Sequence, residues 1–210
     1  MFVHITGTGS YLPTRVVTNA ELAEKLDTTD EWIFSHTGIR SRHLGADDET
    51  TSSMAIQAGR AALEAAGVRA EELGMIVVAT STSDYQAFPS TACLVQHALG
   101  ATQAAAFDLQ AACTGFIYAL WTVYGLMQVD PRPTLVIGAE MMSRIVDWTD
   151  RNSCILFGMR PARWFCRPAG SPAESAMPSC APTVRVRTCC TVKGGRGNSR
   201  PVHGCTIRCS

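Results

Sequence analysis

The residue best placed to do chemistry in this sequence is Cys113. Small residues, Ala111 and Ala112, precede it, and the run TGFIYALWTVYGLM that follows is apolar enough to predict a buried helix. The N-terminus of a helix offers free N–H groups and partial positive charge, which favour a thiolate over a thiol. A thiolate attacks carbonyl carbons, so the pattern predicts an acyl-accepting nucleophile. The alternative is an inert core cysteine, because free cysteine is among the most buried residue types.

A second segment, Asp27 to Arg42 (DTTDEWIFSHTGIRSR), has the composition of a binding surface. It is dense in polar groups around one large aromatic, Trp32, which favours a surface loop and helix over a core element. Two pairs of residues spaced by three predict capped helix starts around it, namely Thr18 with Glu21 and Thr28 with Glu31.

The elements that must position these residues alternate between strand and helix. Apolar β-branched runs predict buried strands at Phe2–Thr6, Met75–Ala79 and Leu135–Ile137, with another strand ending near Leu109. Helical patterns cover Asn19–Leu26, Asp30–Ser35, Ser52–Ala66, Ser90–Leu99 and Thr114–Met127. Such alternation predicts an α/β fold with a mainly parallel sheet.

Six motifs, taken together, resemble the ketoacyl-ACP synthase III enzymes, which start bacterial fatty acid synthesis and share the thiolase-like fold. They are GTGSYLP (7–13), DTTDEWI with TGIRSRH (27–43), IVVATST (76–82), AFPSTAC (87–93), AFDLQAACTGF (106–116) and DRNSCILFG (150–158). The resemblance covers residues 1–158 and implies the N-terminal half of that fold, a mixed, mainly parallel sheet with helices on both faces and a buried helix after the nucleophile.

The resemblance also implies roles for individual residues. Cys113 matches the family's nucleophile, Trp32 and Arg151 match residues that hold the adenine of CoA, and Thr28 lies beside them. Phe88 matches a residue that reaches into the acyl pocket of the partner subunit, which implies a homodimer. Without the resemblance, Trp32 could anchor an amphipathic helix and Arg151 could pair with Asp147 or Asp150. His36 departs from the family pattern, which usually has Arg there for the CoA phosphates.

The implied reaction has two steps. An acetyl or other short acyl group passes from acyl-CoA to Cys113, and decarboxylative condensation with malonyl-ACP then gives a 3-oxoacyl-ACP. The resemblance implies no metal and no cofactor. In the family, the second half of the fold supplies a His and an Asn for decarboxylation and oxyanion stabilisation. The alternative hypothesis is therefore a truncated, catalytically incomplete non-enzyme whose half-covered helix should aggregate.

Composition separates the chain into two blocks. Residues 1–158 carry 9 Lys and Arg against 17 Asp and Glu, whereas residues 159–210 carry 9 against 1 and lack Leu altogether. No apolar run approaches the roughly 18 residues of a membrane span, and the N-terminus does not have the pattern of a secretory signal. The first block has three cysteines without paired spacing. We therefore expect a cytoplasmic protein that binds neither membranes nor nucleic acid.

The second block, 159–210, is predicted to be an irregular, Arg-, Pro- and Cys-rich tail, and we hypothesise that it is an out-of-frame translation. The family continues after FG with stretches such as DAAGAVVL. This stretch can be encoded by GAT GCG GCC GGC GCG GTG GTT CTG, followed by C. If the first G is deleted, the same DNA is read as ATG CGG CCG GCG CGG TGG TTC TGC and translates to MRPARWFC, which is the sequence from Met159 to Cys166. A shifted reading frame explains the abrupt end of the resemblance at Gly158.

Functional alternatives for the tail are weaker. Its positive charge could suit nucleic acid or an acidic carrier protein, but it has neither interleaved aromatics nor a helical period. Its six candidate metal ligands include no C-x-x-C pair; they are Cys180, Cys189, Cys190, His203, Cys205 and Cys209. Asn198 and His203 lie in a Gly- and Arg-rich segment, so we do not assign them the family's roles.

Overall fold

A computed structural model describes residues 3–157 and the backbone of residues 162–168. The chain forms two compact units, Met1–Pro168 and Ala169–Ser210, and the second unit lies outside the described residues. The predicted irregular tail therefore lies outside them as well, apart from one strand at Ala162–Pro168. The predicted division at Gly158 stays a prediction.

The first unit contains seven strands and six α-helices among its described residues. In chain order they are β1 (Val3–Gly7), β2 (Arg15–Thr18), α1 (Asn19–Ala23), α2 (Asp30–Thr37), β3 (Ser41–Leu44), α3 (Thr51–Ala66), β4 (Met75–Ala79), α4 (Thr91–Leu99), β5 (Ala105–Leu109), α5 (Gly115–Leu126), β6 (Thr134–Gly138), α6 (Arg151–Cys154) and β7 (Ala162–Pro168). The predicted helices and strands agree with these bounds to within a few residues.

Five of the strands form one mixed sheet, in the order β1-β7-β6-β4-β5. β4 pairs in parallel with β5 and with β6, whereas β7 runs antiparallel to β1 and β6. Every residue of β4 is buried, as its continuous apolar run predicts for a strand covered on both faces. The predicted α/β fold with a mixed sheet is confirmed.

Helices cover both faces of this sheet, and alternate side chains of β4 mark the two cores. Ile76 and Val78 pack in the cluster that includes residues of α3 and α4, while Val77 packs in the cluster that includes residues of α5. This alternation is the ordinary period of two of a strand. None of the described helices is both long enough and apolar enough to cross a membrane.

The helix α5 is buried along one stripe only. Gly115, Ala119, Val123 and Met127, spaced by four, are buried, while the other side exposes five large side chains, Ile117, Tyr118, Trp121, Tyr124 and Leu126. The composition of α5 predicts a helix that is buried on all sides, but the structure buries only one face of it. The physical reason is that one face of α5 packs on the sheet, and no described element covers the other.

A small antiparallel ladder, β2 with β3, was not predicted from the sequence. It pairs Arg15 with Leu44 at one end and Thr18 with Ser41 at the other. Four-residue strands without clear alternation give too weak a pattern to identify. The ladder encloses α1 and α2 in the chain, so it brings the end of the polar segment, at Ser41 and Arg42, against the strand that precedes α1.

Candidate functional site

Cys113 lies where the parallel strands end. β5 finishes at Leu109, a 3-10 turn covers Ala112–Thr114, and α5 begins at Gly115. The Cys113 thiol is free and exposed. The carboxyl ends of parallel strands are where open α/β sheets commonly place ligand sites. The alternative of an inert core cysteine is therefore wrong in this structure.

The turn that carries Cys113 is strained. Ala112 has φ of 45°, the only positive value at a non-glycine residue among the described part of the chain. An L-residue in this region costs roughly 1–2 kcal/mol because its Cβ crowds the backbone. Strain of this kind persists where the surroundings impose it, and it concentrates at functional sites.

The carboxylate of Glu140, in the loop after β6, binds the loop after β4 at the edge of the sheet where the parallel strands end. Glu140 accepts hydrogen bonds from the Ser81 N–H and the Thr82 hydroxyl, each at 2.7 Å. The Thr82 hydroxyl oxygen also accepts from the Met141 N–H at 2.7 Å. Sequence reasoning missed this network, although a polar run directly after a buried strand was the available signal.

Trp32 and Arg151 come together from α2 and α6. The Arg151 Cζ lies 4.9 Å from the centroid of the Trp32 ring, a cation–π distance. Trp32 also stacks on His36, with ring centroids 4.3 Å apart and 29° between the planes. His36 Nδ1 donates to the Trp32 carbonyl at 2.8 Å, which fixes the imidazole against the indole. The interpretation of Trp32 as a helix anchor holds in part, because its ring also packs against a buried cluster.

The predicted alternative partners of Arg151 are engaged elsewhere. Arg151 Nη1 donates to the Asp27 carbonyl at 2.6 Å and lies 3.8 Å from the Asp27 carboxylate. Asp150 instead caps α6, and its hydrogen bonds from the Ser153 hydroxyl and then the Asn152 N–H lower the pKa of that carboxyl. Asp147 accepts from Thr149, which lowers its pKa in the same way. The pairing of Arg151 with Asp147 or Asp150 is therefore wrong.

Thr28 lies directly beside this pair, between Asp27 and the start of α2. Its Oγ1 is buried and has no hydrogen-bond partner among the described residues. The predicted capping role of Thr28 is wrong, because the cap of α2 is Thr29, whose hydroxyl accepts from the Trp32 N–H at 3.1 Å. The capping role of Thr18 is confirmed for α1. Thr28 thus places a buried hydroxyl, without a hydrogen-bond partner among the described residues, directly beside the Trp32–Arg151 pair.

Behind the pair lies a buried polar connection that sequence reasoning missed. Arg42 is 4% exposed, and its Nη2 donates to Asn19 Oδ1 at 2.8 Å and to the Ile155 carbonyl at 3.3 Å. Its Nε and Nη1 have no hydrogen-bond partner among the described residues. Burial lowers the pKa of the Arg42 guanidinium, and the neighbouring Cys154 opposes that shift.

Phe88 is the most prominent exposed aromatic in the loop between β4 and α4. Its side chain is 85% exposed, and the Phe88–Pro89 peptide bond is cis. A large apolar side chain this exposed is typical of a contact with another molecule. The described residues contain no group of three or more His, Cys, Asp and Glu side chains that could hold a metal ion.

Comparison with known proteins relates the chain to one family. The family model of 3-oxoacyl-[acyl-carrier-protein] synthase III matches residues 107–159. Beta-ketoacyl-[acyl-carrier-protein] synthase III of Xanthomonas euvesicatoria pv. vesicatoria is 54% identical over 159 residues, covering 75% of this chain and 49% of the relative. The enzyme of that name from Bradyrhizobium diazoefficiens is 55% identical over 155 residues, covering 73% of this chain and 47% of the relative.

Solved structures agree. The 3-oxoacyl-[acyl-carrier-protein] synthase III of Aquifex aeolicus superposes with a TM-score of 0.78 at 44% identity, over 81% of this chain and 55% of that one. The Pseudomonas aeruginosa enzyme superposes with a TM-score of 0.75 at 40% identity, over 83% and 53%. Over the part that aligns, this chain belongs to the ketoacyl-ACP synthase III family. It has the thiolase-like fold and spans about half the length of the curated relatives it matches.

For a synthase III, the structure gathers the predicted site residues into two groups. Thr28, Trp32 and Arg151 lie together at α2 and α6, where the resemblance predicts the CoA nucleotide, and Cys113 lies at the strand ends with the loop that leads to Phe88. The first group presents an aromatic face and a guanidinium, with the buried Thr28 hydroxyl beside them. His36, at the usual position of a synthase III arginine, stacks on Trp32 and so contributes a ring to the same surface.

Proposed function

We propose that this chain carries the acyl-accepting and CoA-binding half of a beta-ketoacyl-ACP synthase III. The observation that carries the proposal is the exposed thiol of Cys113 on a strained turn between β5 and α5. A structural cysteine has no need of exposure, and a turn with φ of 45° at Ala112 has no advantage for packing alone.

In the first step, the Cys113 thiolate attacks the thioester carbonyl of acetyl-CoA or another short acyl-CoA. A tetrahedral intermediate forms, the bond from the carbonyl carbon to the CoA sulfur breaks, and the acyl group stays on Cys113 as a thioester. The departing CoA thiolate takes up the proton that Cys113 lost. The small neighbours Ala111 and Ala112 leave space beside the sulfur for a short acyl chain.

The nucleotide end of CoA is proposed to bind at Trp32, Arg151 and Thr28. An adenine stacks between an indole and a guanidinium, because both present flat faces and the guanidinium carries positive charge. Thr28 contributes by its position directly before the cap of α2, because its hydroxyl is buried in this structure. His36 stands where the family usually has an arginine for the CoA phosphates, so this position does not offer them a guanidinium.

In the second step, malonyl-ACP loses CO₂, and the resulting carbanion attacks the Cys113 thioester, releasing the thiolate and 3-oxoacyl-ACP. The His and Asn that the family uses here belong to its second half, which the aligned part of this chain does not include. We propose that the intact enzyme is a cytoplasmic homodimer in which Phe88 contacts the partner's acyl pocket.

The alternative function is that of an incomplete non-enzyme, and one observation favours it. The exposed side of α5 carries Ile117, Tyr118, Trp121, Tyr124 and Leu126. An apolar surface of this size promotes association. In this case, Cys113 takes up no acyl group, or takes one up without condensation.

Acyl labelling distinguishes these possibilities. The purified chain is incubated with acetyl-CoA, and the mass of each cysteine peptide is measured, before malonyl-ACP is added and 3-oxoacyl-ACP is quantified. We expect labelling that is lost in C113S and kept in C93S, since Cys93 is only half-exposed and is not at the strained turn. Acetylation without product would support a half-enzyme, and no acetylation would contradict the proposed first step.

A further inference from the structure

We propose that Arg42 is a positioning residue for the nucleotide-binding pair, and that it sets the spacing between the helices that carry Trp32 and Arg151. This inference rests on the proposed function, because it assigns those two residues to CoA. Arg42 itself is buried at 4% exposure and does not touch the ligand surface. It acts through the helices that carry the two residues.

On one side, Arg42 holds both ends of α2 through a single residue. Its Nη2 donates to Asn19 Oδ1 at 2.8 Å. Asn19 Nδ2 in turn donates to Asp30 Oδ1 and to the Ile39 carbonyl, each at 2.7 Å. Asp30 is the first residue of α2, and Ile39 follows its end, so the helix that carries Trp32 is fixed at both termini.

On the other side, the same nitrogen of Arg42 donates to the carbonyl of Ile155 at 3.3 Å. Ile155 caps the C-terminus of α6, which has four residues and begins at Arg151. A helix of this length has no stability of its own, so tertiary contacts must place it. The buried contacts available are those of Cys154 and Ile155 with the cluster around Ile33, together with the bond to Arg42.

The hydrogen bonds of Arg42 define the position of α6 relative to α2 more closely than apolar packing does. Apolar contacts in the cluster are non-directional, whereas two bonds from one guanidinium nitrogen fix α2 and α6 relative to each other. The buried charge is costly, because no carboxylate among the described residues forms an ion pair with Arg42. Because burial of the Arg42 guanidinium costs free energy, its role is better explained by the positions that it gives to α2 and α6 than by a gain in stability.

The test compares CoA binding by the full chain with binding by R42M, R42K and the control R40M. Methionine fills the space without hydrogen bonds, and lysine keeps the charge without the planar fork. Arg40 is also an arginine two residues away, but it is exposed and lies over the Phe34 ring at 3.9 Å. Calorimetry measures CoA affinity, urea titration measures stability, and amide hydrogen exchange measures local opening in the free protein.

We expect R42M and R42K to weaken CoA binding by roughly tenfold, equivalent to about 1.4 kcal/mol, with R40M unchanged. Exchange at residues 151–155 should rise in R42M while exchange in β4 stays constant, and the urea midpoint should move little. Should R42M not fold, N19A breaks the connection to α2 and keeps the buried guanidinium in place.

Two results separate the proposals. If the unmodified chain does not bind CoA, the proposed function fails, yet faster exchange at residues 151–155 in R42M would still support the role of Arg42. If R42M binds CoA like the unmodified chain, or exchanges at residues 151–155 at the unmodified rate, the positioning role of Arg42 is wrong.

Discussion

The guanidinium of Arg151 lies over the indole of Trp32, with 4.9 Å from its Cζ to the ring centroid. A planar base stacked between them needs about 3.5 Å on each side, so the pair must open to about 7 Å before adenine can enter. The pair is therefore closed in this structure. The part that can move is the Arg151 side chain, because it is exposed, while the bond from Arg42 to Ile155 holds its helix in place.

Removing either side of this pair should weaken CoA binding. R151A should have little effect on folding, whereas W32A should also lower the stability because the Trp32 ring packs against a buried cluster. We expect W32A and R151A each to lower CoA affinity roughly tenfold, equivalent to about 1.4 kcal/mol. The cation–π contact itself contributes only about 0.5–1 kcal/mol at an exposed site. Calorimetric titration with CoA and urea unfolding measure the two effects. Equal affinity of R151A and the unmodified chain would contradict the assignment, and R69A, on an exposed surface ion pair, is the control.

Glycine at position 112 should relieve the strain beside the nucleophile. Ala112 has φ of 45°, where glycine has no Cβ conflict, so A112G should stabilise the fold by about 1 kcal/mol. A119G is the matched control within α5, where loss of a buried methyl group and of helix propensity should destabilise by about 1 kcal/mol or more. Urea midpoints compare the two variants. A destabilised A112G would mean that the turn is not strained.

The cap of α6 should make stability depend on pH at the acid end. Hydrogen bonds from Ser153 and Asn152 lower the pKa of Asp150 below its ordinary value of 3.8. A carboxyl whose pKa is lower in the folded state stabilises it above its unfolded pKa, and this contribution is lost as pH falls through the folded pKa. D150N should therefore be less stable than the unmodified chain at pH 6, with a difference that shrinks below about pH 4.

Urea titrations of both proteins between pH 3 and pH 7 measure this difference. The variant D84N serves as a comparison, since Asp84 accepts from Ser52 at the start of α3 and lies far along the chain from α6. A D150N difference that stays constant over the whole range would show that the Asp150 carboxylate does not stabilise the cap through its charge.

The reading-frame hypothesis for residues 159–210 is tested on DNA. If the tail is an out-of-frame translation, insertion of one base at codon 159 should open a continuous frame that encodes a synthase-like second half. Sequencing both strands around that codon in the source DNA decides the matter. An interrupted alternative frame, full of stop codons, would contradict the hypothesis and leave the tail as the true coding sequence.

The main helices and strands could be predicted because their signals are local. The buried run of β4 and the turn and apolar run around Cys113 are contiguous in sequence. The connection through Asn19, Arg42 and Ile155 could not be predicted, because it joins three distant segments whose residue types occur on any surface. The exposed side of α5 was expected only under the alternative of a truncated chain, since composition shows that a helix is apolar and not how many neighbours cover it.

The two Arg42 donors without a partner among the described residues also bear on the reading-frame hypothesis. Methionine has a single codon, ATG, so restoring one base before Met159 gives a triplet ending in AT, which encodes His, Tyr, Asn or Asp. This position follows Ile155, a direct partner of Arg42, by four residues in the sequence. Only aspartate among the four offers a carboxylate to Nε and Nη1. A buried guanidinium thus predicts the identity of one nucleotide, a guanine.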